Sequence, residues 1–114
     1  MLVYKVLRRA EWLEFESAGV TIGAAIDRTD GYIHLSTAEQ VEETVARHFA
    51  GERDLRLLAI DADRLGSALR WEPSRGGALF PHLYAPLHLA GVSWVKSLPF
   101  DGHTHEFPDL ADPN

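Results

Sequence analysis

The sequence predicts an α+β fold, a compact single domain with two amino-terminal helices packed on a mostly antiparallel sheet. Three observations carry this. Arg8–Ala18 and Thr37–Ala50 repeat apolar residues at helical spacing and run into Gly19 and Gly51. Leu2–Leu7, Leu55–Ile60 and Val92–Leu98 are short apolar runs of strand length. The 114 residues contain no repeat, linker or low-complexity block, and suffice for one ordinary hydrophobic core. The domain is therefore expected to span 1–114, with an irregular tail over 99–114.

Taken in order, Leu2–Leu7 predicts the first strand. The helix after it places Trp12, Phe15 and Ala18 on one face. From Val20 to Gly31 periodicity lapses, and Gly23 with the polar run Asp27–Gly31 predicts a loop able to cover a site. Tyr32–Leu35 alternates as a short strand. Ser36 is placed to cap the second helix, with Glu39 three residues on as its capping-box partner, and Ala38, Val41, Val45 and Phe49 form the buried stripe. Leu55–Ile60 reads as a buried strand and Asp61–Leu65 as a turn capped by Asp61. Leu69–Glu72 predicts a strand leading into a Gly-Gly loop, His82–Tyr84 an extended segment, and Val92–Leu98 the last strand. Three prolines and no periodicity make Pro99–Asn114 a coil.

Composition narrows function. Without cysteine there is no disulfide, thiolate metal site or cysteine nucleophile, which fits a reducing compartment. No apolar stretch approaches membrane-spanning length and the amino end lacks a signal-peptide pattern, so a cytoplasmic protein is expected. A net charge of −6 disfavours bulk nucleic-acid binding, although two nearby arginines can still hold a small anion. His103-Thr104-His105-Glu106 lies in the expected tail and no helical His-Glu-x-x-His occurs, so no metal is expected. Neither Ser36 nor Ser74 sits in a nucleophile elbow, and Walker and dinucleotide-fold glycine patterns are absent.

Two segments concentrate chemistry. In Gly31–Thr37 a histidine, His34, is followed by the hydroxyls of Ser36 and Thr37, and residues two apart on a strand share a face. His34 and Ser36 either enter one pocket or serve as a satisfied core histidine and a cap. In Leu69–Leu87 stiff prolines bracket Arg70, Glu72, Arg75, Gly76, Gly77, His82 and Tyr84. Read functionally, Arg75 and Arg70 bind phosphate, Gly76 and Gly77 let a backbone approach a ligand, and His82 and Tyr84 share a strand face. Read structurally, the same stretch is a wide hairpin with a solvated arginine. Glu72 beside Trp71 is either a general acid or a structural partner of the nearby arginines.

Taken jointly, Tyr4-Lys5-Val6, Gly31–Val41, Leu69–Glu72 and Leu79–Leu87 resemble the DUF952 family from about Val3 to Leu98. That family's fold resembles the ADP-ribosyltransferase superfamily, including its RNA 2′-phosphotransferase branch. The resemblance implies a split, strongly bent sheet around a nicotinamide-dinucleotide cleft, with NAD as substrate. His34 falls at the early-strand position that holds the ribose, with Ser36 beside it; His82 and Tyr84 are family positions expected to line the cleft. Two departures stand out. Val92–Leu98 holds no glutamate for the late-strand catalytic position, and Ala85 replaces the family's usual glycine. The expected activity is transfer of an ADP-ribosyl or phosphate group at a ribose, with His34, His82 and Glu72 catalytic and Ser36, Thr37, Arg70, Arg75, Gly76, Gly77 and Tyr84 binding ligand. The alternatives are a non-catalytic module for a nucleotide or small anionic metabolite, or a protein-interaction partner using Trp71, Trp94 and Phe80.

Overall fold

Alternation along the first strand decides the layering. In the computed structural model, which describes residues 1–110 with the Arg75 side chain excepted, β1 (Leu2–Leu7) sends Val3 and Leu7 to one face and Tyr4 and Val6 to the other. It is followed by α1 (Arg9–Ala18), β2 (Val20–Thr21), α2 (Ala25–Asp30), β3 (Ile33–His34), α3 (Ala38–His48), β4 (Leu55–Asp61), β5 (Leu69–Pro73), β6 (Leu79–Leu83), β7 (Leu87–His88) and β8 (Val92–Leu98). The antiparallel sheet β1-β4-β8 is buried on both sides. Val3, Leu7, Leu58 and Ile60 pack with Phe15 of α1, while Tyr4, Val6, Leu57 and Ala59 pack with Val41 and Val45 of α3. Each fully buried aliphatic chain here contributes roughly 1.5–3 kcal/mol.

A second antiparallel sheet, β3-β6-β5, turns its inner face to the first of these cores through Ile33, Leu83 and Leu69. The two sheets meet at one seam. Tyr4 and Ser36 exchange both main-chain hydrogen bonds, Tyr4 N to Ser36 O at 2.8 Å and Ser36 N to Tyr4 O at 2.9 Å. A small β2-β7 pair completes the strands. The fold is thus α+β with antiparallel sheets, as the pattern predicts.

Three local expectations change. The seam occupies the Ser36 backbone, so the cap of α3 falls one residue later: Thr37 is the N-cap and Gln40 Oε1, not Glu39, accepts from Thr37 N at 3.0 Å. Val20–Gly31 is not a featureless loop but holds β2 and α2. Asp27, in the first turn of α2, accepts from Ala24 N at 2.8 Å, and Gly31 closes the helix at φ +86° with its N–H bonded to Asp27 O. Residues 99–110 are irregular, yet Phe107 and Leu110 pack on the α3 side of the first sheet, and the last four residues of the expected tail lie outside the described residues.

Candidate functional site

Directly opposed residues of an antiparallel pair share a face, as do residues two apart along a strand. His34 lies opposite His82, and His82 opposite Arg70. Two residues along stand Tyr32, Tyr84 and Glu72. The strand register therefore gathers Tyr32, His34, His82, Tyr84, Arg70 and Glu72 on the outer face of β3-β6-β5, while Ile33, Leu83 and Leu69 turn to the core.

The rings touch. Tyr32 lies against three of them, with centroids 4.2 Å from His82, 4.6 Å from His34 and 5.1 Å from Tyr84. The two imidazoles stand 5.5 Å apart, edge to face. Each is oriented by a carboxylate. Glu72 Oε1 accepts from His82 Nδ1 at 2.8 Å and from the Tyr84 hydroxyl at 2.7 Å. Asp27 Oδ1 accepts from His34 Nδ1 at 2.6 Å, and His34 Nε2 faces Asp30 Oδ2 at 3.0 Å. Because a carboxylate only accepts, both Nδ1 atoms carry the proton. The Arg70 guanidinium lies 4.8 Å over the Tyr84 ring, a cation–π contact at the rim.

Asp27 is the hub beneath this face. Only 1% exposed, it accepts from Lys5 Nζ at 2.6 Å, from Ala24 N, and from both His34 N (3.0 Å) and His34 Nδ1. Lys5 also donates to His34 O at 3.1 Å. Burial alone would raise the Asp27 pKa, but the His34 hydrogen bond and the Lys5 ammonium overcome it and hold the carboxyl at about 2. Burial lowers the Lys5 pKa, with Asp27 opposing it. The hydrogen bonds from Tyr84 and then His82 lower that of Glu72, and the same Tyr84–Glu72 bond raises that of the phenol.

His34, His82, Tyr84, Arg70 and Glu72 therefore converge. Glu72 accepts from His82 and Tyr84, where pairing with arginine was the structural expectation. Ser36 and Thr37 do not join them: Ser36 is buried with its hydroxyl 3.0 Å from Thr44 Oγ1 of α3, and Thr37 caps that helix. Gly76 and Gly77 lie at the tip of the β5–β6 hairpin, where Gly77 N bonds Ser74 O at 2.8 Å and Ser74 N bonds Ala78 O at 2.9 Å. Their φ angles of +70° and +81° account for glycine without a ligand, since a Cβ on either would meet nothing within 4 Å. The tip is five residues along β6 from His82, roughly 16 Å. The Arg75 side chain lies outside the described residues. Of the three aromatics weighed as an interaction surface, Phe80 is buried, Trp94 is partly buried against the core, and Trp71 is exposed.

Asp27, Asp30 and Tyr32 are the participants that sequence reasoning missed. A signal was available for Asp27. Lys5 alternates with Val3 and Leu7 on a strand face that points into the core, so its ammonium required a buried anion. Among the described residues, no group of three or more His, Cys, Asp or Glu is arranged to hold a metal ion, and no helix is long and apolar enough to cross a membrane.

The crystal structure of protein CC0527 from Caulobacter crescentus is similar to this chain, with a TM-score of 0.89 and 47% identity over 93% of this chain and 94% of that one. The crystal structure of a double mutant of the same protein gives 0.89 at 46% identity, with the same coverage. Its solution NMR structure gives 0.81 at 48% identity over 90% of each chain. No curated protein matches the chain. The family described as "Protein of unknown function (DUF952)" matches residues 6–95, which run from the end of β1 into β8 and include every member of the ring cluster. The chain belongs to the DUF952 family.

Proposed function

We propose that the outer face of β3-β6-β5 binds a nucleotide of the NAD or ADP-ribose type and acts as a transferase at the ribose, on a fold of the ADP-ribosyltransferase kind. The observation that carries this reading is the pair of carboxylate-oriented imidazoles, His34 on Asp27 and His82 on Glu72, side by side on one sheet face. Two antiparallel sheets joined at a single seam support the fold assignment.

In this reading His34 holds a ribose hydroxyl, Tyr84 offers a stacking surface and Arg70 receives phosphate at the rim. Glu72 stands in for the carboxylate absent from the last strand. The C1′–N bond breaks with its electron pair leaving on the nicotinamide nitrogen, and Glu72 stabilises the positive charge that develops on the sugar. An acceptor hydroxyl then adds to C1′ and gives its proton to the ring of His82.

A second reading, binding without turnover, is favoured by one feature. Both nitrogens of His34 face carboxylates, at 2.6 and 3.0 Å, so neither is open to a ligand while Asp30 stays in place. Calorimetry with NAD and ADP-ribose, coupled to chromatographic detection of free nicotinamide, separates the two. Transfer predicts saturable binding that weakens at least tenfold in His82→Ala and nicotinamide release that Glu72→Gln abolishes. Binding without release favours the module, and no binding at millimolar ligand in the wild type refutes both.

A further inference from the structure

The ring that lies on the site face is the protein's own. Tyr32 spans His34, His82 and Tyr84 at centroid distances of 4.6, 4.2 and 5.1 Å, so it fills the stacking position above the row, and His82 beneath is only 3% exposed. Two residues earlier, Asp30 places Oδ2 3.0 Å from His34 Nε2, the ring atom that Asp27 leaves available. Both groups come from one short segment at the end of α2. Between them Gly31 sits at φ +86°, where a Cβ would meet nothing within 4 Å, so glycine is required there for its backbone conformation alone.

We propose that Asp30-Gly31-Tyr32 is an internal occupant of the site. The tyrosine stands where a ligand's planar ring would lie and the Asp30 carboxylate where its anionic or acceptor oxygen would bond His34. The inference rests on the reading of this face as a ligand site and specifies the ligand class: a flat ring joined to a group that presents such an oxygen. Entry requires the segment to swing outward at Gly31. Asp30, whose side chain is 37% exposed, and Tyr32, only partly buried, are free to do so, whereas Asp27 stays locked to Lys5 and keeps His34 in place.

The test turns on the sign of an effect. A closed segment populated nine times in ten weakens apparent affinity about tenfold, so removing its contacts must tighten binding. With ADP-ribose as the probe in calorimetry, Tyr32→Ala is expected to raise affinity about tenfold and Asp30→Ala about threefold or more. Weaker binding in Tyr32→Ala together with no change in Asp30→Ala would mean that Tyr32 is a fixed platform, and would overturn the proposal. If no form binds ADP-ribose or NAD, the nucleotide reading fails by itself. Aromatic relaxation dispersion of Tyr32 in the unliganded wild type then decides the matter: exchange that Asp30→Ala shifts toward the exposed state upholds the occupant, and a static ring unaffected by Asp30→Ala rejects it.

Discussion

Replacing Asp27 with alanine removes the acceptor of four hydrogen bonds, from Lys5 Nζ, His34 Nδ1, Ala24 N and His34 N, at 2.6 to 3.0 Å. The largest consequence is an ammonium stranded in the interior, because the Lys5 side chain is only 8% exposed. Breaking a buried ion pair from one side costs about 3–5 kcal/mol. Lys5 can escape by losing its proton, which limits that part: from an ordinary pKa of 10.5 to neutral pH the cost is at most about 5 kcal/mol. Two backbone N–H groups left without acceptors add about 1 kcal/mol each. A loss of at least about 4 kcal/mol is expected, read from the urea midpoint of equilibrium unfolding at pH 7. Lys5→Met should cost less, since Asp27 keeps three N–H donors. A loss below about 1.5 kcal/mol in Asp27→Ala, or a larger loss in Lys5→Met, would refute the hub.

Three further outcomes follow from the same geometry. Asp27 titrates at about 2 in the folded protein against an ordinary 3.8, so it contributes about 2 kcal/mol at neutral pH. A depressed carboxylate is stabilising above its unfolded pKa, so this contribution should vanish between about pH 4 and pH 2. Acid unfolding curves of the wild type and Asp27→Asn should converge there, and parallel curves would contradict it. Gly23→Ala would set a Cβ 2.3 Å from Asp27 Oδ2 at a φ of +98°, and since Asp27 is pinned the variant should lose about 1–3 kcal/mol in thermal or urea unfolding. Glu72→Gln should return the raised pKa of Tyr84 toward 10, measured by ultraviolet titration of the phenol; a Tyr84 pKa that stays raised would show that Glu72 is not its cause.

Periodicity made the two long helices, the central strands and the layered core legible, because burial of apolar stripes decides those elements. It could not reveal α2. Six residues with an acidic residue at the buried position carry no apolar stripe, and the helix exists through the hydrogen bonds that Asp27 makes to Lys5, His34 and Ala24. The site was half visible for a related reason. Strand alternation pairs His82 with Tyr84 from sequence alone, but the meeting of His34, His82 and Arg70 depends on cross-strand register, which local patterns do not fix. Ser36 misled because its period-two relation to His34 ends where the chain leaves β6 for β1, and α3 then covers the hydroxyl. The glycine pair misled differently: a tight hairpin needs positive φ as much as a ligand loop does.

The Tyr4–Ser36 seam is made wholly of main-chain atoms, and that has a consequence for divergence within the family. Neither side chain is needed for the join itself, so positions 4 and 36 need not match one another. The core that Val3, Leu7, Leu58 and Ile60 share with Ile33 and Leu83, and the reach of Lys5 to Asp27 and His34, still tie substitutions in one half to those in the other. Proline at position 4 or 36 is what the seam itself bars, since either would remove a main-chain N–H that bonds one half to the other.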